Sequence, residues 1–326
     1  MVEVSFKNLS PSVNNSISDG LLISKIMRFS LIIFLLFFTM VISKAQNLQL
    51  VEPPNWWVGM KNQELQLLVY GIDIAKTEVE FSYPGVNLVS IDRVENPNYL
   101  FINLLIAPDA KPGSFDINFR VSRRKTLNYT YQLLQRREGS AERTGFDAAD
   151  VVYLLFPDRF ANGDPSNDTY KGMTDKFDRD DLYARHGGDI QGIINNLDYI
   201  KDLGMTAIWL NPVFESSQPW QSYHHYAITD FYNVDRRFGS NELYKKLIKE
   251  AQGKGIKIIK DMIFNHCGNK HWWINDLPSA DWVNQWPEFT RSNYRSPTNF
   301  DIHSSEYDKR LMSDGWFDTH MPDLNQ

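Results

Sequence analysis

The chain has 326 residues, 42% of them hydrophobic, and a formal net charge of −6 at neutral pH. That much apolar material excludes a globally disordered chain and is enough for two or three domains. No basic run or stripe exists to track phosphates, which excludes nucleic acid as a partner, and the single Cys267 excludes an intrachain disulfide framework.

Near the N-terminus, Arg28 precedes an apolar stretch from Phe29 to Ile42, and Ser43-Lys44-Ala45 offers a small-residue ending before Gln46. A positive flank, a short apolar core and a small residue at the cut site describe a secretory signal peptide. The stretch is short for a membrane span, which needs about 20 apolar residues. Met27 sits just before Arg28 as a second possible start. The expectation is that residues 1–45 are leader and signal peptide. The protein is then secreted across the inner membrane, to the periplasm or beyond it, with no stable membrane anchor after cleavage. Residues 1–45 carry four basic and two acidic residues, so their removal takes the net charge from −6 to about −8.

From Leu48 to Leu134 the sequence reads as short strands between turns: Leu65 to Tyr70, Glu78 to Tyr83, Tyr99 to Ile106 and Ser114 to Val121. Pro84-Gly85 and the run Pro108 to Gly113 punctuate them. This spacing predicts an antiparallel, immunoglobulin-like β-sandwich over residues 46–140. The polar run Gln135 to Ser140 reads as a linker.

After Asp150 the pattern changes. Val151 to Phe156 is an apolar run expected of a strand buried on both faces. Apolar residues at 190, 193, 194, 197, 200 and 203 predict one helix over Asp189–Leu203, closed by Gly204. Thr206 to Leu210 reads as a second strand. A helix follows from Asn241 to Gln252 with Ser240 as N-cap, and Ile256 to Phe264 reads as a third strand. Strands alternating with helices mean parallel βαβ units. The loops after the strands are long, as at the C-terminal mouth of a (β/α)8 barrel. A doubly wound sheet would want a Gly-rich turn after its first strand, and Phe156-Pro157-Asp158-Arg159 is not one. The expected α/β architecture is therefore the start of a TIM barrel over residues 141–266, with residues 267–326 beginning an inserted domain.

Polar residues gather after each of these strands. Asn162, Asp164, Asn167 and Asp168 place side-chain oxygens in one tight loop, which suits Ca²⁺ and equally suits ordinary Asn-Gly and Asp-Pro turn chemistry. Tyr223-His224-His225-Tyr226 combines aromatics with imidazoles, the makings of a sugar subsite or of a loop packed by its own rings. The third strand carries Asp261 in its second half, with Asn265-His266 at the barrel mouth, where His266 reads either as a hydroxyl ligand or as a cap.

These blocks resemble the alpha-amylase family of glycoside hydrolases, closest to its neopullulanase and cyclomaltodextrinase branch. Asp261-Met262-Ile263-Phe264-Asn265-His266 is similar to that family's first signature, and Met321-Pro322-Asp323-Leu324-Asn325 to a short signature in its inserted domain. The resemblance implies that Tyr226 is a platform under the sugar and that His224 and His266 contact its hydroxyls, while Asp261 supports the site. Gly is usual in the family where His225 stands. The spacing of Asn162, Asp164, Asn167 and Asp168, with Gly187 and Asp189 downstream, resembles the calcium site of neopullulanase-type members.

The resemblance also implies a retaining hydrolase of starch, pullulan, maltooligosaccharides or cyclodextrins. Such an enzyme needs two carboxyl groups about 5–5.5 Å apart. In the family the nucleophilic Asp follows strand four, the acid Glu strand five and a third Asp strand seven. None of these strands precedes Gln326, so the expectation is a polypeptide that lacks the catalytic carboxylates and is inactive alone, with three parallel strands that cannot close a barrel and leave an apolar, aggregation-prone edge. Asp314, in Asp314-Gly315-Trp316-Phe317-Asp318, superficially resembles a nucleophile block, but it lies upstream of the Met321 signature and no strand leads into it. The alternative reading is a non-catalytic glucan-binding or interaction fragment. A homodimer through the sandwich is implied by the branch alone.

Overall fold

The computed structural model describes residues 47–325. The expected leader, apolar stretch and cleavage site lie outside the described residues. Among the described residues, no helix is long and apolar enough to cross a membrane.

Eight strands come first: β1 (Leu48–Glu52), β2 (Asn55–Trp57), β3 (Glu64–Gly71), β4 (Glu78–Glu80), β5 (Val86–Asp92), β6 (Tyr99–Ile106), β7 (Gly113–Ser122) and β8 (Lys125–Leu134). They form two four-stranded sheets, ordered β1-β3-β6-β5 and β2-β8-β7-β4. The period of two sends alternate side chains to opposite faces. Leu67, Val69, Leu100, Ile102 and Leu104 of one sheet therefore share a core with Phe115, Ile117, Phe119, Tyr131 and Leu133 of the other. β6 is apolar on both faces for a reason: Tyr99 and Phe101 point away from that core and pack with Trp272, Trp273 and Trp282. The pairing is not wholly antiparallel, because β2 runs parallel to β8.

The second part holds β9 (Val152–Leu155), β10 (Ala207–Leu210) and β13 (Lys257–Lys260), paired in parallel in the order β13-β10-β9. A two-stranded antiparallel ribbon, β11 (Phe214–Glu215) with β12 (Asp230–Val234), lies between the second and third of these in sequence. The helices are α1 (Pro157–Phe160), α2 (Ile190–Asn195), α3 (Leu197–Asp202), α4 (Asn241–Gly253), α5 (Trp272–Asn275) and α6 (Glu306–Asp314). Ser240 caps α4 by accepting from the Leu243 amide at 3.1 Å, and Gly204, at φ +79°, follows α3 as expected.

Three expectations need correction. The single helix over Asp189–Leu203 is two, because the chain leaves helical geometry at Asn196 (φ −112°, ψ 12°). The first strand is not buried on both faces. Leu155, Ile208 and Leu210 pack against α2, α3 and α4, while Leu154 and Trp209 on the other face are 60% and 42% exposed. Three strands covered by helices on one side leave the second side open. The third strand is also shorter than its apolar run: β10 stops at Leu210 opposite Lys260, so Asp261 stands on the loop just past the strand, not within it.

Candidate functional site

The mouths of β10 and β13 carry the sugar-site candidates. Asp175 accepts from both the amide and the hydroxyl of Ser222, at 2.8 and 2.6 Å, and so pins a 3-10 turn over Ser222–His224. His225 ends that turn in the left-handed region, at φ 58°. A glycine would take this conformation without strain, whereas His is among the few side chains that visit it, at a cost of about 1 kcal/mol. Its fully buried ring donates from Nδ1 to the Phe214 carbonyl at 2.9 Å, and Nε2 lies 3.4 Å from Arg185 Nη1. Burial pushes its pKa down to about 3 even though Asp235 opposes the shift, so the ring is neutral.

Tyr226, one residue on, is held from three directions. Its amide donates to His224 Nδ1 at 3.0 Å, its hydroxyl donates to Asp261 Oδ2 at 3.1 Å, and its carbonyl accepts from His266 Nε2 at 3.1 Å. The same contacts fix tautomers. His224 accepts at Nδ1 and therefore carries its proton on Nε2, while His266 donates from Nε2 and accepts from the Asn265 amide at Nδ1, 2.9 Å away. Burial lowers both imidazoles to about 4, and nearby imidazoles add to it. His224 thus keeps Nε2–H as a donor for a ligand. His266 has both nitrogens engaged and stacks on Phe317, with ring centroids 4.9 Å apart. The structure thus brings together the four residues that the sequence singled out as substrate-binding.

Other residues stand around the site, of which His320 had no signal of its own. His320, immediately before the Met321 signature, is 6.2 Å ring to ring from both His224 and Trp220, and its buried Nε2 has no hydrogen-bond partner. Arg159 lies over the Tyr223 ring at 4.4 Å. Asp323 of the signature forms a backbone bridge with His266 and accepts from the Asn284 amide at 2.8 Å; burial raises its pKa to about 6. Asp314 ends α6 with no strand before it.

Beneath the turn lies a buried ion network. Arg237 grips Asp235 with Nε and Nη2 at 3.0 and 2.9 Å. Burial would raise the Asp235 pKa, but the Arg237 and Arg185 guanidiniums outweigh it and hold the carboxyl well below the usual range. Arg185 also reaches Asp158 at 3.4 Å. Asp158 in turn accepts from the His186 amide at 2.9 Å, next to Gly187.

The loop after β9 forms the oxygen-rich candidate. Asn162 donates through its amide nitrogen to Asp168 Oδ1 at 2.8 Å, which aims its own Oδ1 elsewhere. That oxygen and Asn167 Oδ1 are buried with no hydrogen-bond partner, an arrangement that costs roughly 1–3 kcal/mol for each oxygen left unmet. Gly187 sits at φ +81°, and a Cβ there would meet Asp168 Oδ1 at 2.4 Å. Burial raises the Asp168 pKa, and Asp189 adds to it. Two members play other parts. Asp189 caps α2, accepting from the amides of Gly192 (2.6 Å), Asp164 (2.8 Å) and Gly163 (3.1 Å). Asp164 Oδ1 accepts from the amide and hydroxyl of Ser166. Among the described residues no three His, Cys, Asp or Glu side chains gather as a metal site, so any cation here would rest mainly on amide and backbone oxygens.

With that geometry established, comparison with known proteins identifies two matched regions. Residues 154–323 match the alpha amylase catalytic domain, and residues 50–137 match the cyclomaltodextrinase N-terminal domain. Neopullulanase 2 of Thermoactinomyces vulgaris is 35% identical over 181 residues, covering 54% of this chain and 30% of that protein. Cyclomaltodextrinase of Thermoanaerobacter pseudethanolicus is 40% identical over 148 residues, covering 42% of this chain and 25% of that protein. A solved Anoxybacillus alpha-amylase is 37% identical with a TM-score of 0.44, over 54% of this chain and 34% of its own. The chain spans less than a third of the length of these two curated relatives.

Proposed function

Because the chain belongs to the alpha-amylase family of glycoside hydrolases, we propose that it carries the sugar-holding part of an α-glucan hydrolase of the neopullulanase and cyclomaltodextrinase type. The observation that carries this reading is the convergence of His224, Tyr226, Asp261 and His266 at two neighbouring strand ends through the Tyr226–Asp261 and His266–Tyr226 hydrogen bonds. On this reading the exposed part of the Tyr226 ring stacks on a pyranose and His224 Nε2–H donates to a hydroxyl. Asp261 fixes the tilt of Tyr226, and His266 holds its backbone.

Bond cleavage in a retaining hydrolase needs a nucleophile and an acid/base about 5–5.5 Å apart. The proposed division of labour leaves both to barrel strands beyond the three seen here. The first domain is read as an immunoglobulin-like sandwich, and residues 267–326 as the start of an inserted domain. Calcium is proposed to bind Asn162, Asn167, Asp168 and the Gly187 carbonyl, supported by the two orphaned amide oxygens, with Asp164 and Asp189 shaping the loop. A bound cation would tie the first barrel loop to the start of α2. Secretion to the periplasm through residues 1–45 and dimerisation through the sandwich belong to the same proposal.

The test is direct. The polypeptide of residues 46–326 is expected to be retarded in a native gel containing soluble starch and to release no reducing sugar from starch, pullulan or cyclodextrins. Calcium-dependent release of reducing sugar would overturn the division of labour, and unretarded migration would overturn the sugar-holding role.

A further inference from the structure

Resting on the sugar-site reading above, we propose that Tyr70, Asn98 and Asn96 of the β-sandwich are positioning residues for the glucan site of the same chain, acting through Asp276. The sandwich would then be a working part of that site and not a separate module.

Asp276 joins the two segments. It ends α5, ten residues after His266, and its carboxylate is gripped by the sandwich. Tyr70 Oη donates to Oδ2 at 2.9 Å, Asn98 donates to Oδ2 at 2.8 Å and Asn96 donates to Oδ1 at 2.6 Å. Tyr99 donates its hydroxyl to the Asp276 carbonyl, and the Asn96 amide donates to the Pro278 carbonyl at 3.1 Å. Neutral donors on one carboxylate make charge-assisted bonds, stronger than neutral pairs and more demanding of geometry. A loop packed only by its own rings would not need so many convergent donors from residues about 180 to 206 positions away in sequence.

From α5 a continuous packed path leads to the sugar platform. Trp272 stacks on Tyr99, with ring centroids 5.9 Å apart and planes within 9°. His271 and Trp273, beside it, both pack on Phe231, at 5.3 and 5.9 Å. Phe231 belongs to the apolar cluster of Phe214, Ile228, Ile263 and Tyr226. The backbone runs in step with the side chains: the His271 amide donates to the Gly268 carbonyl at 2.8 Å, and the Gly268 amide donates to the Ile228 carbonyl at 2.7 Å, two residues from Tyr226. Gly268 cannot bear a side chain, because a Cβ there would lie 2.6 Å from the Ala227 carbonyl. The seam between the two segments is therefore closely packed, and a shift of α5 has no slack in which to dissipate before it reaches Ala227 and Tyr226.

Spatial continuity alone does not demonstrate coupling, so the test measures it. In the full chain, Tyr70→Phe and Asn98→Ala are combined, and Gln66→Ala, which removes a surface hydrogen bond to Asn103 in the same sheet, serves as control. Backbone hydrogen exchange is followed without sugar, and affinity for maltoheptaose is measured by tryptophan fluorescence. The expected result is at least tenfold faster exchange in residues 268–276 together with residues 224–228, unchanged exchange in β6 and β7, and at least fivefold weaker maltoheptaose binding. The control should move none of these. Faster exchange confined to 268–276, or an affinity within twofold of the parent, would show that the sandwich props only α5 and would overturn the proposal. Failure of the parent chain itself to bind maltoheptaose would sink the sugar-site reading instead, while the exchange at 224–228 would still decide whether the sandwich positions that turn.

Discussion

Substituting Glu52 by Gln should stabilise the protein at alkaline pH and leave it unchanged near pH 4.5. Glu52 ends β1 on the face of the sandwich that meets Asp230 and Trp272. Burial raises its pKa from 4.5 to about 7, and the Asp230 charge adds to the rise, while the Trp272 indole opposes it in part. The folded state therefore holds a proton that the unfolded state has released between about pH 4.5 and 7. By linkage, stability falls as pH rises through that window, being fully present below the unfolded value and lost above the folded one. At about 1.4 kcal/mol per pKa unit the shift corresponds to roughly 3 kcal/mol at most. The amide introduced by Glu52→Gln stays neutral at every pH and removes this slope. Denaturant titrations of parent and variant, followed by tryptophan fluorescence at pH 4.5 and 8, measure it. The parent should lose up to about 3 kcal/mol more than the variant between the two values. Asp323, also raised to about 6, pushes both proteins the same way and cancels in the comparison. A variant that is no more stable than the parent at pH 8 would show that Glu52 is not held neutral at this interface.

Three further outcomes are expected. Millimolar calcium should raise the thermal midpoint of the parent, by the equivalent of about 2.7 kcal/mol at a hundredfold excess over the dissociation constant. Asn162→Ala/Asn167→Ala should abolish that rise, and a parent indifferent to calcium would remove the cation from the account. Arg237→Met strands the buried Asp235 carboxylate and should cost about 3 kcal/mol in denaturant titrations; a loss below about 1 kcal/mol would mean Arg185, 3.9 Å away, suffices alone. Gly187→Ala, at φ +81° and with Asp168 in its way, should cost at least about 2 kcal/mol by the same titration, and a near-neutral result would refute the tight cage.

Much of the fold was legible where one physical signal dominated. β6 runs over Tyr99–Ile106 as read, because it is apolar along most of its length and its first four residues are buried on both faces. α4 was legible from its cap and its stripe of Leu247 and Ala251. Two strands with a wet face, β5 and β8, were not, although β7 was. β8 alternates Thr126, Asn128, Thr130 and Gln132 outward, and five of the seven residues of β5 are exposed, so neither presents an apolar run. The end of the third strand was misplaced because Ile263 and Phe264 continue the apolar run after the neighbouring strand has stopped.

The site divided in the same way. His224, Tyr226, Asp261 and His266 stood out by residue type and spacing, and the structure brings them within hydrogen-bond reach of one another. What local sequence could not carry is pairing over distance. His225 tolerates a left-handed backbone beside Arg185, forty residues away. His320 reaches His224 across nearly a hundred residues, and Asp276 is gripped by a sandwich that gave no sign of touching the site.

The claim that the sugar-holding part of an alpha-amylase-family site is built within residues 47–325 comes down to Tyr226. Calorimetric titration of maltoheptaose into residues 46–326 and into its Tyr226→Ala variant measures it. The expected result is binding by the parent and at least a tenfold weaker affinity in the variant, about 1.4 kcal/mol. Equal affinity in both, or no heat of binding in the parent, would contradict it.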